Sequence, residues 1–253
     1  MVKRVFPNSS DFENLSRLRT EAAAAANDFD YSGVVVRKPW GYEYLWHQNA
    51  AVAVWVLHLT AGSSTSMHCH ARKRTSLIVL SGAALCSTFD DRYPLGAGQA
   101  VVLEPGVFHT TMAASPGGAC VMEVETPPMK GDLLRFRDNF GRAGQGYESA
   151  KQYSTDFAEF DYAPLRNINH GGAPFRFRDT QLQLQVFPPG ADALNGPDQE
   201  GLVVPFLGQL TGEEKLLADI GEAVPMRRVC TSRLVCAGAL ELLRVIPVSR
   251  AAS

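Results

Sequence analysis

Gly62-Ser-Ser-Thr-Ser-Met-His68-Cys-His70-Ala-Arg-Lys-Arg-Thr75-Ser-Leu-Ile-Val-Leu-Ser-Gly82 is the stretch whose reading decides the fold. Two histidines stand one residue apart, ahead of an apolar run that ends in glycine. On a strand, residues i and i+2 share a face. His68 and His70 therefore project together, and Cys69 points the opposite way. Two imidazoles on one face at this spacing can chelate one transition metal. A third histidine closes Gly98-Gln-Ala-Val-Val-Leu-Glu104-Pro105-Gly106-Val-Phe-His109. The Pro-Gly turn ends one strand and His109 starts the next. In a rolled antiparallel barrel that strand can lie beside the first, so that three imidazoles converge inside.

The flanking sequence has the texture such a barrel needs. Segments 33–36, 42–46, 51–59, 75–80, 83–88, 99–103 and 119–124 are short and rich in Val, Leu, Ile and aromatics, with Gly, Pro, Asp and Ser between them. Many short strands at such intervals predict an all-β sandwich or barrel. No strand–helix–strand rhythm appears, which disfavours a doubly wound sheet. Residues 10–27 read as a helix, with Ser10 and Glu13 at capping-box spacing and an alanine run of high helix propensity. Residues 128–180 read as a connector that wraps the surface, with one short helix near 148–159.

Strand texture returns at 181–187, 201–207, 215–218, 233–235 and 240–245, and a weak repeat appears. Segment 57–63 aligns with 185–191, 77–85 with 203–211, 95–105 with 217–227 and 118–127 with 238–247. The expected organisation is an N-terminal helical extension (1–32), a metal-competent barrel (33–127), a connector (128–180) and a degenerate barrel (181–250). No histidine follows His170, and Leu194, Asn195, Gly196 and Pro197 fall near the positions of the paired histidines, so the second copy has no three-histidine site.

The 253 residues carry 24 Lys+Arg against 26 Asp+Glu, a formal net charge of −2. That balance excludes a chain built to neutralise nucleic-acid phosphates. No apolar run reaches the ~20 residues that span a bilayer, and no secretory leader follows the basic N-terminus. Five cysteines without a CxxC give neither a disulfide framework nor a Cys₄ zinc site. A cytoplasmic protein with reduced thiols is expected, with no membrane partner.

Residues 62–82 and 98–109 resemble the two motifs of the cupins, G-x5-H-x-H-x3/4-E-x6-G and G-x5-P-x-G-x2-H-x3-N. Three positions depart from the pattern: Thr75 stands where the family has its ligand Glu, Glu104 replaces the Pro, and Ala113 replaces the Asn. The resemblance covers roughly residues 35–127. It implies a double-stranded β-helix (the cupin jelly roll), here a bicupin with a degenerate second barrel, and one divalent metal (Zn, Mn, Ni or Fe) on His68, His70 and His109. Lys38-Pro-Trp-Gly-Tyr-Glu43 and Leu134-Arg-Phe-Arg-Asp-Asn-Phe-Gly-Arg142 look like the entry and tail of cupins related to type II mannose-6-phosphate isomerase. That likeness implies a sugar, sugar-phosphate or sugar-nucleotide substrate. A homodimer is expected, with the second barrel as a candidate dimer surface.

The expected chemistry is isomerase or epimerase action. The metal polarises a carbonyl or hydroxyl as a Lewis acid, and Glu43 or Glu104 shuttles the proton. Glu104 or Glu123 is a further source of the ligand carboxylate that Thr75 lacks. The run Arg72, Lys73 and Arg74 is read as an anion clamp at the barrel mouth, with Arg72 and Arg74 the bidentate members, joined by Thr75 and His58 in substrate binding. With three neutral ligands and no Glu at position 75, a three-His non-haem Fe(II) dioxygenase is the alternative, and a non-catalytic binding or assembly cupin is the third.

Overall fold

The computed structural model describes residues 1–19, 29–141, 152–163, 174–190, 200–212, 215–229 and 238–248. The elements run β1 (Val2–Val5), α1 (Ser9–Arg19), β2 (Val35–Lys38), β3 (Gly41–Gln48), β4 (Ala53–Leu59), β5 (Met67–Cys69), β6 (Arg74–Ser87), β7 (Arg92–Gly96), β8 (Ala100–Leu103), β9 (Thr110–Ala113) and β10 (Ala119–Thr126). There follow β11 (Leu134–Arg137), β12 (Tyr153–Ser154), β13 (Phe175–Phe177), β14 (Thr180–Phe187), β15 (Leu202–Leu207), β16 (Leu210–Gly212), β17 (Lys215–Ala218), β18 (Val224–Pro225), α2 (Met226–Val229) and β19 (Leu240–Pro247). The class is all-β, as expected.

The large sheet runs β1-β8-β6-β10-β4-β3-β2-β12. The two segments read as 75–80 and 83–88 are one strand, β6, whose far end turns away to pair with β7 and β9. Gly82 sits in that strand at φ +72, and a Cβ there would lie 2.5 Å from the Gly118 carbonyl oxygen. Only glycine takes this conformation and this close approach at low cost.

A second sheet runs β13-β14-β19-β15-β18. This is the order of β3-β4-β10-β6-β8 over again. Even the bulge recurs: β10 skips Leu80 on β6, and β19 skips Phe206 on β15. Gly98 N–H donates to Val79 O at 2.8 Å, and Gly221 N–H to Pro205 O at 2.7 Å. These equivalences move the last two aligned segments of the repeat by one residue, so that Gly98 matches Gly221 and Glu123 matches Arg244. Segment 233–235 lies outside the described residues, as do 194–197.

Both faces of the large sheet are buried, which explains its near-continuous apolar runs. One face packs on the second sheet in a shared core that includes Tyr44, Val54, Val56, Ile78, Leu80, Met122 and Val124 with Leu182, Leu184, Val204, Phe206 and Leu243. The other face lines the barrel with Trp55, Leu57, Leu77, Val79, Val101 and Val121. Polar ties cross between the sheets: Ser76 Oγ donates to Gly221 O at 2.7 Å, and Arg74 pairs with Asp219 at 3.4 Å.

Three local expectations are corrected. Asn8, not Ser10, caps α1: its Oδ1 accepts from Asp11 N–H at 3.0 Å, and Asp11 Oδ2 accepts from Asn8 N–H at 2.9 Å. The part of that helix beyond Arg19 lies outside the described residues. Of the helix expected near 148–159, residues 148–151 lie outside the described residues; residues 153–159 hold strand β12 on the edge of β2, anchored by Tyr153 against Tyr31 and Phe29. His58 does not face the barrel. Leu57 and Leu59 do, so strand alternation turns His58 into the intersheet core, where it stacks on Tyr42 at 4.4 Å and meets Phe177.

Burial and the nearby Arg178 lower the His58 pKa to about 4. The unfolded chain then binds this proton more readily than the folded one. The His58 contribution to stability is complete above pH 6.5 and is lost as pH falls toward 4. By pH 4.5 this amounts to about 2 kcal/mol. Urea unfolding of parent and His58→Phe at pH 7 and 4.5 should show that much less acid sensitivity in the variant. Equal sensitivity would place the titration elsewhere.

Candidate metal centre

β5 and the residue before β9 bring the histidines together. His68 and His109 exchange both backbone hydrogen bonds, at 3.0 and 2.8 Å. Directly opposed residues put their side chains on one face. Ring centroids lie 4.4 Å apart for His68 and His109, 5.0 Å for His68 and His70, and 5.5 Å for His70 and His109. All three are buried, and their nitrogens approach within 4.8 Å of one another.

Each Nδ1 meets a backbone carbonyl: Ser66 O at 2.8 Å for His68, Asp132 O at 2.6 Å for His70, and Val107 O at 3.0 Å for His109. A carbonyl only accepts, so each Nδ1 carries the proton and each Nε2 keeps its lone pair. This is the arrangement that orients metal-binding histidines. Burial lowers all three pKa values, helped at His68 by its histidine neighbours and at His70 by Lys73. Neutral imidazoles are the ligand form. His70 Nε2 is buried with no hydrogen-bond partner, an orphan that a cation would satisfy. The donor set fits a divalent transition metal.

The cavity around them measures about 50 Å³. Its wall holds four cationic side chains, Lys38, Lys73, Lys130 and Arg135, against three carboxylates, Glu43, Glu123 and Glu125. Lys73 Nζ donates to Glu125 at 2.6 Å and to Met129 O at 3.2 Å. Lys130 Nζ donates to Glu43 at 2.8 Å and lies 3.4 Å over the Trp55 ring. Lys38 approaches Glu43 at 3.4 Å. Burial pulls the Lys130 ammonium down, but Glu43, Glu125 and Glu123 outweigh it and hold its pKa above the ordinary value. Burial raises the Glu125 carboxyl against the opposing pull of Lys73 and Lys130.

Of the expected site residues, His68, His70 and Glu43 line this cavity, and His109 packs against the two histidines. Others do not. Glu104 faces away, because Leu103 takes the barrel side of the chain there. It pairs with Arg4 at 2.6 Å and Arg74 at 3.1 Å. Arg74 precedes the inward Thr75, so it turns to Glu104 and Asp219 and is no clamp. Arg72 is exposed. The cation of that run that enters the site is Lys73. Thr75 is buried with its hydroxyl unpartnered, opposite Glu125 on β10.

The segment after β10 does more than wrap the surface. Asp132 accepts from the backbone N–H groups of Ala71 at 3.2 Å, Arg72 at 2.8 Å and Lys73 at 3.2 Å. It so fixes the turn that follows His70. β11 pairs with β5 and brings Arg135 to the cavity. Lys130, Asp132 and Arg135 were not singled out in the sequence as cavity residues. Glu125 carried a signal: with Glu123 it shares one face of an otherwise apolar strand.

Residues 55–125 match the Cupin domain family model (Cupin_2). The matched segment runs from β4 to β10, within the first barrel, which in this stretch resembles a cupin domain. No curated protein matches the chain. Among solved structures it is similar to KdgF from Halomonas sp. at 19% identity, covering 36% of this chain and 82% of that one, with a TM-score of 0.34. It is also similar to an uncharacterized conserved protein with a double-stranded β-helix domain from Klebsiella pneumoniae (20%, 42% and 88%, TM-score 0.32). The DMSP lyase DddQ from Ruegeria pomeroyi is a third (18%, 35% and 44%, TM-score 0.32). Among the described residues no helix is long and apolar enough to cross a membrane.

Removing one partner of a buried ion pair strands the other charge, at a cost of about 3–5 kcal/mol. Lys73→Met should lose that much stability in chemical denaturation. The Lys73→Met/Glu125→Leu double variant should recover most of it, since a packed apolar pair replaces both charges. A double variant no more stable than the single would show that the pair is not the source.

Proposed function

We propose that the barrel is a metal-dependent enzyme acting on a small anionic substrate, with isomerase or epimerase chemistry on a sugar-like hydroxycarbonyl compound as its specific form. The observation that carries the reading is the convergence of three Nε2 lone pairs, each oriented through Nδ1, in a cavity walled by lysines. A divalent metal held by His68, His70 and His109 would supply Lewis-acid polarisation of a substrate oxygen.

The protein's own groups account for the rest. Four cations against three carboxylates, with neutral imidazoles, leave the wall cationic, which suits a carboxylate or phosphate. Glu43, held by Lys130 and Lys38, is the buried carboxylate placed to take or return a proton. A cavity of about 50 Å³ has room for only a few waters at roughly 10–15 Å³ each. A sugar exceeds it. The reading therefore requires the chain around Lys130 and Leu133, which line the cavity, to open for entry.

Purified protein should hold about one equivalent of Zn, Mn, Ni or Fe by elemental analysis, and His68→Ala close to none. Incubation with sugar phosphates and sugar acids in D₂O should place deuterium in a substrate C–H position, visible by NMR and lost in Glu43→Gln. Equal metal in parent and His68→Ala would remove the metal reading. Substrate-dependent oxygen uptake without deuterium exchange would replace isomerisation with dioxygenase chemistry.

A further inference from the structure

We propose that Glu123, on β10, is the carboxylate ligand of the metal centre, taking over the place that Thr75 leaves vacant on the neighbouring strand. This rests on the three-histidine metal reading above and adds a ligand to it.

Glu123 Oε1 lies 3.5 Å from His70 Nε2, and both groups are buried. His70 gives its one proton to Asp132 O through Nδ1, so Nε2 faces the carboxylate as a lone pair. Glu123 faces it as an acceptor. Two acceptors turned toward each other in a buried site repel, unless a cation lies near enough to bond to both. His70, Glu123 and Glu125 bring ligand atoms within 4.8 Å of one another, as do the three histidines. His70 is the residue common to the two groups.

The strand register explains why the carboxylate has changed strands. Thr75 on β6 pairs with Glu125 on β10, and Leu77 pairs with Glu123. Paired residues share a face with Cβ atoms about 5 Å apart. A Glu at position 75 would press its charge against Glu125, which already holds Lys73 at 2.6 Å. With threonine there, the inward face of β10 has room to supply the acid. Glu125 is engaged by Lys73, and Glu123 is the member of the pair beside His70.

The test uses apo protein of the full chain, titrated with Co²⁺ alone, with affinity read by calorimetry and coordination by the visible absorption bands. Parent should bind one Co²⁺, and His68→Ala none. Glu123→Gln should bind one Co²⁺ at 10- to 100-fold weaker affinity, with altered bands because an oxygen ligand has changed. If Glu123→Gln keeps parent affinity within threefold and the same bands while His68→Ala loses the metal, Glu123 is no ligand and the three-histidine reading stands. If His68→Ala binds like the parent, that reading fails and this proposal fails with it. Should Glu123→Gln not fold, Glu123→Asp decides: a shortened ligand shifts bands and affinity, and a parent-like result overturns the assignment.

Discussion

β10 is hydrogen-bonded on one edge to β4 and on the other to β6, so its register is fixed from two sides. Strand side chains alternate, and a slip of one residue would exchange the two faces completely. Met122 and Val124 belong to the core shared with the second sheet, while Val121 lies among the barrel residues. That intersheet core keeps the apolar residues on their side and so drives Glu123 and Glu125 inward. The cost of slipping is severe: two carboxylates would enter an apolar core and Met122 would meet Lys73 and His70. The position of the cavity acids is thereby set by packing on the opposite face.

The charges of the cavity make sense only as a set. Isolated ions at this depth would be very costly, yet Lys73, Glu125 and Glu43 are 1%, 2% and 4% exposed. Each is answered: Lys73 by Glu125, and Glu43 by Lys130 and Lys38. Such pairs are weak sources of stability, because desolvation offsets their attraction. Their presence in a small cavity beside three oriented imidazoles speaks for function rather than for folding. Asp132 serves both ends, since its carboxylate holds the turn after His70 and its carbonyl fixes the tautomer of His70.

The barrel was legible in the sequence because its signals are local. The spacing of His68 and His70 follows from strand periodicity, and the turns are marked by glycine and proline. Glu104 and Arg74 were misplaced because residue type says nothing of which face a residue takes. One position of register separates Arg74 from Thr75, and the partners that claim these side chains, Arg4 and Asp219, lie 100 and 145 residues away. Lys130 and Asp132 were missed for a related reason: nothing periodic marks a segment that reaches the site by folding back across the mouth. His58 shows the same limit, since an imidazole on a strand buried on both faces has no local sign of which side it joins.

The second sheet bears on the duplication reading through what it keeps and what it changes. Strand order, the bulge and the positive-φ glycines at 82 and 98 recur at 208 and 221. These are backbone devices, needed wherever a strand must bend or a turn must close. The interior chemistry is not kept: Arg244 stands where Glu123 stands, and Gly201 where Thr75 stands. A cation in place of the proposed ligand repels a metal rather than binding it. Leu182, Leu184, Val204 and Leu243, by contrast, remain apolar and fully buried against the first sheet. What the second sheet keeps is thus the apolar face that fixes β10 in register, and through that face it supports the sheet that carries Glu123 and Glu125.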